Sequence, residues 1–374
     1  MKDGFKSATI IATLNLLSWK KDYRIWSVGT VIMVLIIRYL IGVPLYALPN
    51  GKTSTALLLP VLLADAMNSN GLLKVLIFFG GILLFCDAPF LKDNKWFLIH
   101  RAGRRGWWKG ECLYIAIASF IYMAFIASCS FLVVLPCLEW NGWGSIWEIS
   151  SNKLMNYVLY SKVYPKNVIS STTVWNAAFY SYMVSSLTVM LLGYLVYAFN
   201  VVTGKNWPGI LAASCLVLAD PVVIYFYNEQ TSWMMLFSPV NWSSIENLQK
   251  YSGEGMLTSV YVYAVSLSIC AILMMVIKEK TREIAKKLIK VQAERDSKIG
   301  FKYKEDTLEQ IEFENDFEYN ETQDQKRAIE DVKKDMEGPH PLDRLICGDV
   351  GFGKTEIAMR AAFKAVDNGK QVDR

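Results

Sequence analysis

The sequence predicts a mostly α-helical protein, in which a polytopic six-helix membrane bundle is followed by an incomplete P-loop α/β fragment. Composition gives the first reason, because the 374 residues are 53% hydrophobic and only 20% charged, unlike one water-soluble globule. Distribution gives the second, since all twelve Trp lie between Trp19 and Trp242. The third is a single Gly-rich motif in a tail that is dense in charged residues from Lys278 onward.

Apolar runs of roughly 17–25 residues suit helices that cross a hydrocarbon core. These runs lack the alternation of barrel strands, so we expect a helical membrane domain over residues 1–277. The six predicted spans are Trp26–Leu48, Leu72–Pro89, Cys112–Leu138, Trp175–Val201, Pro208–Tyr227 and Leu257–Ile277.

Lys and Arg residues concentrate on one side of the predicted spans. Such residues favour the cytosolic side when they flank a membrane helix. We therefore expect a multi-pass membrane protein with both termini in the cytosol and the lipid bilayer as its partner. One basic cluster lies in the N-terminal arm and the other follows the second span: Lys2, Lys6, Lys20, Lys21 and Arg24, then Lys92, Lys95, Arg101, Arg104, Arg105 and Lys109.

Charged residues inside or at the ends of spans are the candidates for transport function. Asp87 and Glu111 flank the basic loop, so we expect them at the interface, paired with nearby Arg or Lys. Arg38 and Asp220 are the transport candidates, and Asp220 precedes Pro221, where a broken helix could expose it. The alternative is structural, with Arg38 snorkelling or paired within the bundle.

The loop DAPFLKDNKWFLIHRAGRRGWWKGECLYI, residues 87–115, is the most distinctive part of the membrane domain. With six spans and cytosolic termini, it resembles the membrane subunits of bacterial ABC-2-type exporters across residues 1–277. That resemblance implies a permease in the bacterial cytoplasmic membrane and a separate ABC ATPase subunit as partner. The alternative is a generic polytopic protein whose Arg101, Arg104 and Arg105 obey the positive-inside rule and meet anionic lipid.

Neither a protein-bound zinc site nor a disulfide framework is expected. The seven Cys contain no CxxC pair, and the chain has only two His, His100 and His340, that could join them as ligands. Both kinds of framework need more regular spacing than this.

The tail contains two further predicted helices. Ile284, Leu288 and Val291 recur at helical spacing, which predicts an amphipathic helix over Thr281–Asp296 within a linker at residues 278–300. Thr322 can cap a second helix over Gln323–Met336.

The segment DRLICGDVGFGKTEIAMRAAFKAV contains a motif that indicates a chemical function. Leu345–Cys347 read as a buried strand, residues Gly348–Thr355 spell G-x-x-x-x-G-K-T, and Glu356–Val366 read as a helix that Gly369 can end. This strand, loop and helix order is the context of a phosphate-binding P-loop. The predicted nucleotide-binding residues are Gly348, Asp349, Val350, Gly351, Phe352, Gly353, Lys354 and Thr355. Lys354 supplies charge to the phosphates, and the Thr355 hydroxyl is the usual ligand for Mg²⁺.

This segment closely resembles the first helicase motif of bacterial transcription-repair coupling factors, which are RecA-like superfamily 2 DNA translocases, and of the related branch-migration helicases. The match extends from Thr281 to Val372 through FEYNETQDQKRAIEDVKKDME. It implies ATP and Mg as cofactors, with Phe317 and Gln325 at the adenine and Thr322 beside them. It also implies DNA and RNA polymerase as partners in DNA repair. Where Glu318 and Gln323 stand, the family usually has Pro.

Beyond Val372 the family would continue into an acidic box, an arginine finger and a second motor lobe, which phosphoryl transfer requires. We therefore predict a fusion or chimeric chain in which residues 301–374 form a truncated helicase ATP-binding segment. No catalytic residue is assigned, and no helicase activity is expected. The alternative is an ABC-2-type transporter permease subunit whose tail is an artefact of fusion or assembly. Transport energised in cis by this tail is disfavoured by the same missing parts.

Overall fold

The computed structural model describes residues 2–63, 72–90, 95–148, 166–226, 232–248, 257–317, 321–342, 344, 346 and 353–372. The chain divides into two compact units, Met1–Arg282 and Glu283–Arg374. Each unit is described by itself below.

The N-terminal unit is built from helices and one very small sheet. Its strands β1 (Ser54–Thr55) and β2 (Leu138–Glu139) pair in parallel, with Ser54 opposite Leu138. The helices are α1 (Lys2–Leu17), α2 (Tyr23–Leu40), α3 (Gly42–Ala47), α4 (Leu59–Leu62), α5 (Leu72–Phe85), α6 (Lys95–Val134), α7 (Ser145–Glu148), α8 (Lys166–Ser171), α9 (Val174–Thr203), α10 (Trp207–Tyr225) and α11 (Ser259–Asp296).

Five of the six predicted spans match helices long and apolar enough to cross a membrane. The sixth span, Leu72–Pro89, is not confirmed, because its described helix α5 has 14 residues and residues 64–71 before it lie outside the described part of the chain. At about 1.5 Å per residue, such a helix reaches roughly 21 Å, whereas the hydrocarbon core is about 30 Å thick. The five helices cover Tyr23–Ala47, Gly106–Cys137, Val174–Thr203, Trp207–Tyr225 and Ser259–Glu283.

The helices of the bundle alternate in direction. At one end, Arg24 at the start of α2 pairs with Asp87, which follows α5. At the same end, the Asn200 side chain near the end of α9 donates a hydrogen bond to the Ala88 carbonyl at 2.8 Å. At the other end, β1 follows α3 and pairs with β2, which follows α6. Helix α5 therefore ends where α2 begins, so the two helices run in opposite directions.

Helix α9 is the centre of the bundle. Its most apolar stretch is 78% buried, more than in any other candidate span. Close packing explains this, because a Cβ added at Gly193 would lie 2.7 Å from both Ile115 on α6 and Phe85 on α5. Glycine is therefore what allows three helices to meet there.

The outer surface of the N-terminal unit carries large apolar side chains. Trp26 is 65% exposed, Val34 58%, Leu218 52% and Met275 63%. An apolar surface of this extent would be unfavourable in water and suits contact with lipid. The unit is therefore compatible with a membrane protein.

The described residues of the C-terminal unit contain three further helices, α12 (Leu308–Asn315), α13 (Gln323–Met336) and α14 (Lys354–Asp367). The predictions of α13 and of the helix after the P-loop are confirmed, although α14 starts two residues earlier than Glu356. The core between α13 and α14 consists of five buried side chains: Ile329, Val332, Met336, Ile357 and Ala365.

The predicted α/β character of this unit is not observed among its described residues. They contain no strand, and Leu345 and Cys347 of the predicted strand lie outside them. The predicted amphipathic helix over Thr281–Asp296 is present, but as the last part of α11 and not as a separate helix.

Candidate functional site

The predicted phosphate-binding loop is described only at its C-terminal end. Gly348, Asp349, Val350, Gly351 and Phe352 lie outside the described residues. Gly353, Lys354 and Thr355 are described, and they form the start of α14. The side chains of Lys354 and Thr355 are exposed. The N-terminus of a helix presents unpaired backbone N–H groups and partial positive charge, which suit a phosphate.

Gly353 adopts a left-handed backbone conformation, with φ +66° and ψ 25°. A side chain there would be strained, and a Cβ would lie only 2.5 Å from Nε2 of Gln325. Two independent constraints therefore require glycine at this position. The same geometry places the amide of Gln325 directly against the end of the predicted loop.

Gln325 is held by a capping box at the start of α13. Its Oε1 accepts a hydrogen bond from the Thr322 backbone N–H at 2.7 Å, and Thr322 Oγ1 accepts from the Gln325 N–H at 3.3 Å. This reciprocal pair satisfies two helix N-terminal donors. The structure therefore brings Thr322, Gln325 and Gly353 together, while the adenine contact implied for Gln325 stays a prediction.

Phe317 lies on the guanidinium of a buried arginine. The Arg360 guanidinium carbon is 3.8 Å from the centroid of the Phe317 ring. Phe313 and Phe317 form an edge-to-face pair, with centroids 5.3 Å apart. Phe313 itself stacks on Phe363 of α14 at 4.2 Å. Phe317 is half-buried, so part of its ring stays accessible.

A network of charges joins the segment before α12 to both other helices. Lys364 of α14 is 1% exposed, and its Nζ donates to Asp306 at 2.5 Å and to Glu337 at 2.8 Å. Lys333 of α13 donates to Asp306 at 2.6 Å and to Glu314 at 2.7 Å. Asp306 therefore bridges two lysines on different helices.

The pKa values in this network follow from opposed effects. Burial alone raises the pKa of Asp306, but hydrogen bonds from Lys333 and Lys364 outweigh it and lower that pKa below its ordinary value. Burial alone lowers the pKa of Lys364, but hydrogen bonds to Asp306 and Glu337 outweigh it and raise that pKa. The charged forms of both groups are therefore favoured in the folded unit.

In the N-terminal unit, the two transport candidates are in different surroundings. Asp220 is fully buried, and its Oδ2 lies 2.9 Å from Nζ of Lys74 on α5, whose side chain is 2% exposed. Ser238 donates a hydrogen bond to the other carboxylate oxygen at 3.1 Å. Arg38 lies instead on the exposed side of α2, and its snorkelling, its pairing within the bundle and its role in transport stay predictions.

The two acidic residues beside the basic loop also differ. Asp87 pairs with Arg24, as expected. Glu111 is 1% exposed, and it accepts hydrogen bonds from Asn15 of α1 at 3.1 Å and from Trp107 at 3.2 Å. The side chains of Arg101, Arg104 and Arg105 lie outside the described residues. Whether residues 87–115 contact a separate ABC ATPase subunit or anionic lipid therefore stays a prediction.

Sequence reasoning missed three residues of these sites. Lys74 stands in the run LLKVLIFFGG, and a lysine inside an apolar span was a signal for a buried partner. Arg360 and Asp306 gave no such signal. Each stands among many charged residues, and only the fold shows which of them are enclosed.

Part of the chain is similar to curated transcription-repair-coupling factors. It is 46% identical over 138 residues to that of Bacillus subtilis (strain 168), covering 37% of this chain and 11% of that protein. It is 52% identical over 96 residues to that of Staphylococcus epidermidis and 53% identical over 96 residues to that of Staphylococcus haemolyticus, covering 26% of this chain and 8% of each protein. The chain thus spans only about a tenth of the length of these relatives. No family model matches the chain, and no solved structure matches it.

Proposed function

We propose that the C-terminal unit is the nucleotide-binding segment of a DNA translocase of the transcription-repair-coupling-factor type, attached to a membrane unit. One observation carries this proposal: the capping box holds the Gln325 amide against left-handed Gly353 at the start of α14. The similar stretch of 96 residues is close in length to this unit.

The described residues fit an ATP phosphate chain with Mg²⁺. Gly353 leaves the backbone open, α14 contributes its positive end, and Lys354 and Thr355 are exposed there. Lys354 would neutralise phosphate charge, and the Thr355 hydroxyl would ligate the metal. Residues 348–352 would provide the remaining N–H donors of the loop. The bound metal would supply charge neutralisation between phosphates.

Phe317 and Gln325 are proposed to recognise the adenine. A side-chain amide can both donate and accept hydrogen bonds at a base edge, and an aromatic ring can stack on the base.

The N-terminal unit is proposed to anchor this segment in the bacterial cytoplasmic membrane as a multi-pass protein with both termini in the cytosol. Five apolar helices and an apolar outer surface support insertion, and the basic clusters support this orientation. Membrane insertion and orientation are tested by expressing the chain in bacteria with a tag at each terminus. We expect the chain to stay in the membrane fraction at alkaline pH, with both tags resistant to protease added outside spheroplasts.

Nucleotide binding is tested with the full chain in phosphatidylcholine nanodiscs, by titration with a fluorescent N-methylanthraniloyl ATP and Mg²⁺. Lys354→Ala should weaken binding at least about tenfold, because a charge-assisted phosphate contact is lost. Lys370→Gln is the matched control, since Lys370 is also an exposed lysine near the end of the same unit, over the Phe301 ring. Equal affinity in both variants would contradict the proposal.

A second candidate function is a permease subunit of an ABC-2-type exporter that obtains ATP hydrolysis from a separate ABC ATPase. The observation that favours it is the buried Lys74–Asp220 pair inside the bundle, since charges enclosed in a membrane domain commonly mark a transport path. This candidate predicts that an ATPase subunit copurifies with the chain and that deleting residues 283–374 leaves transport unchanged. Recovery of the chain without such a subunit under mild detergent conditions would count against it.

A further inference from the structure

The environment of Arg360 is unusual for an arginine. Its side chain is only 2% exposed, in a unit whose apolar core has five buried residues. Nη2 donates to Glu321 at 2.5 Å, and Nη1 donates to the Glu356 carbonyl at 3.3 Å. The Glu356 carboxylate is a further charge partner at 3.9 Å. The guanidinium is therefore fixed from its edge by two acidic residues, while its flat face lies on Phe317.

Enclosing an arginine is unfavourable unless its charge and its donors are satisfied. Glu321 and Glu356 satisfy them here at the rim of the guanidinium. The planar Arg360 guanidinium is thereby held against one face of the Phe317 ring. Cation–ring contacts of this kind are attractive and set the orientation of both planes.

We propose that Arg360 is a positioning residue that orients the Phe317 ring to receive the adenine on its opposite face. This inference rests on the proposed function, in which Phe317 stacks on the base. Phe313 forms an edge-to-face pair with the same ring and is itself stacked on Phe363. Arg360 and Phe313 therefore both hold the ring, while part of it stays accessible.

Arg360 also ties the base site to the phosphate site. Glu356 lies one helical turn before Arg360, and its Oε2 is 3.6 Å from the Cβ position at Gly353. Gly353, Glu356 and Arg360 thus follow one another along α14, and Arg360 carries the Phe317 ring on its guanidinium. A single rigid element would set the distance between the base and the phosphates.

The test uses the full chain in phosphatidylcholine nanodiscs with Mg²⁺. Two ligands are compared: the fluorescent N-methylanthraniloyl ATP, which has a base, and tripolyphosphate, which lacks one and is measured as a competitor. Arg360→Lys keeps the charge but removes the planar face, and Phe317→Leu removes the ring. Lys370→Gln is the control, because it removes another cation over a ring in the same unit, 3.8 Å from the centroid of Phe301.

We expect Arg360→Lys to weaken ATP binding about fivefold and Phe317→Leu about tenfold, from the strength of cation–ring and base–aromatic contacts. Tripolyphosphate should bind all variants equally. Unchanged ATP affinity in Arg360→Lys, or an equal loss for tripolyphosphate, would overturn the positioning role while leaving nucleotide binding in place. If the unaltered chain binds neither ligand, the proposed function itself fails, and the inference fails with it.

Discussion

Asp306 connects two helices of the C-terminal unit through its carboxylate. Its carboxylate accepts from Lys333 at 2.6 Å and from Lys364 at 2.5 Å, and those lysines lie on α13 and α14. Asp306→Asn removes the charge but keeps the shape. Each lysine retains one other carboxylate, Glu314 or Glu337. The loss is therefore limited to the contribution of one charge-assisted bridge.

The expected magnitude follows from the burial of the lysines. A hydrogen bond to a charged group contributes about 1.5–3 kcal/mol, and the asparagine oxygen can still accept one neutral bond. Because Lys364 is 1% exposed, water cannot replace the lost partner. We therefore expect Asp306→Asn to lower the local free energy of opening by about 2 kcal/mol, which is roughly a 30-fold faster hydrogen exchange.

The assay is hydrogen–deuterium exchange with mass spectrometry on the full chain in nanodiscs. Peptides from α12, α13 and α14 should exchange faster, while peptides from α9 should not change. Asp331→Asn is the control, because its partner Arg344 is at the surface, where ion pairs contribute little. If Asp306→Asn and Asp331→Asn exchange at the same rate, the bridge does not hold the unit together, and the reasoning from burial is wrong.

Three further predictions follow from single contacts. Gly353→Ala should weaken ATP binding, because an added Cβ would meet the Gln325 side chain. Gly369→Ala is the control, since Gly369 also has a positive φ but has open space around its Cβ position, and it should not weaken binding. ATP titrations of both variants in nanodiscs measure the difference. Lys74→Met should lower the stability of the N-terminal unit by about 3–5 kcal/mol, since Asp220 loses its charged partner. Tryptophan fluorescence during heating measures this loss. The double variant Lys74→Met with Asp220→Asn should regain much of the lost stability. The lowered pKa of Asp306 means that its contribution exists above its unfolded pKa and is lost as pH falls through the folded value. The exchange difference between the native chain and Asp306→Asn should therefore be constant from about pH 5 to pH 8 and shrink below about pH 4.

Periodicity predicted the long elements of this chain well. Runs such as Trp175–Val201 and Gln323–Met336 have one composition over several turns, so α9 and α13 appear where expected. The span Leu72–Pro89 shows the limit of this reasoning. Its hydropathy is sufficient, but the described helix ends at Phe85, and Asp87 two residues later pairs with Arg24. Hydropathy measures solvent preference and not where a tertiary contact ends a helix.

The local part of the nucleotide site could be predicted because its signals are local. Thr322 and Gln325 are three residues apart, and Gly353 precedes its own helix. Arg360 and Asp306 could not be predicted, since their partners are distant in sequence. Glu321 lies 39 residues from Arg360, and Asp306 lies 58 residues from Lys364. A single sequence does not show which charged side chains become buried in the folded protein.

The C-terminal unit combines a small core with a large proportion of enclosed charge, and this has a consequence for ligand binding. Five buried apolar residues provide limited stability, so the bridges at Asp306 and Arg360 set the relative positions of the helices. A ligand at the start of α14 would act on the same helix that carries Arg360 and Lys364. At about 100 times its Kd, a ligand stabilises the folded state by about 2.7 kcal/mol. That is comparable with the loss expected for Asp306→Asn, so saturating Mg-ATP should restore near-native exchange in that variant. Restoration by ATP in Asp306→Asn but not in Asp306→Asn with Lys354→Ala would show that phosphate binding and the ionic bridge stabilise the same arrangement of helices.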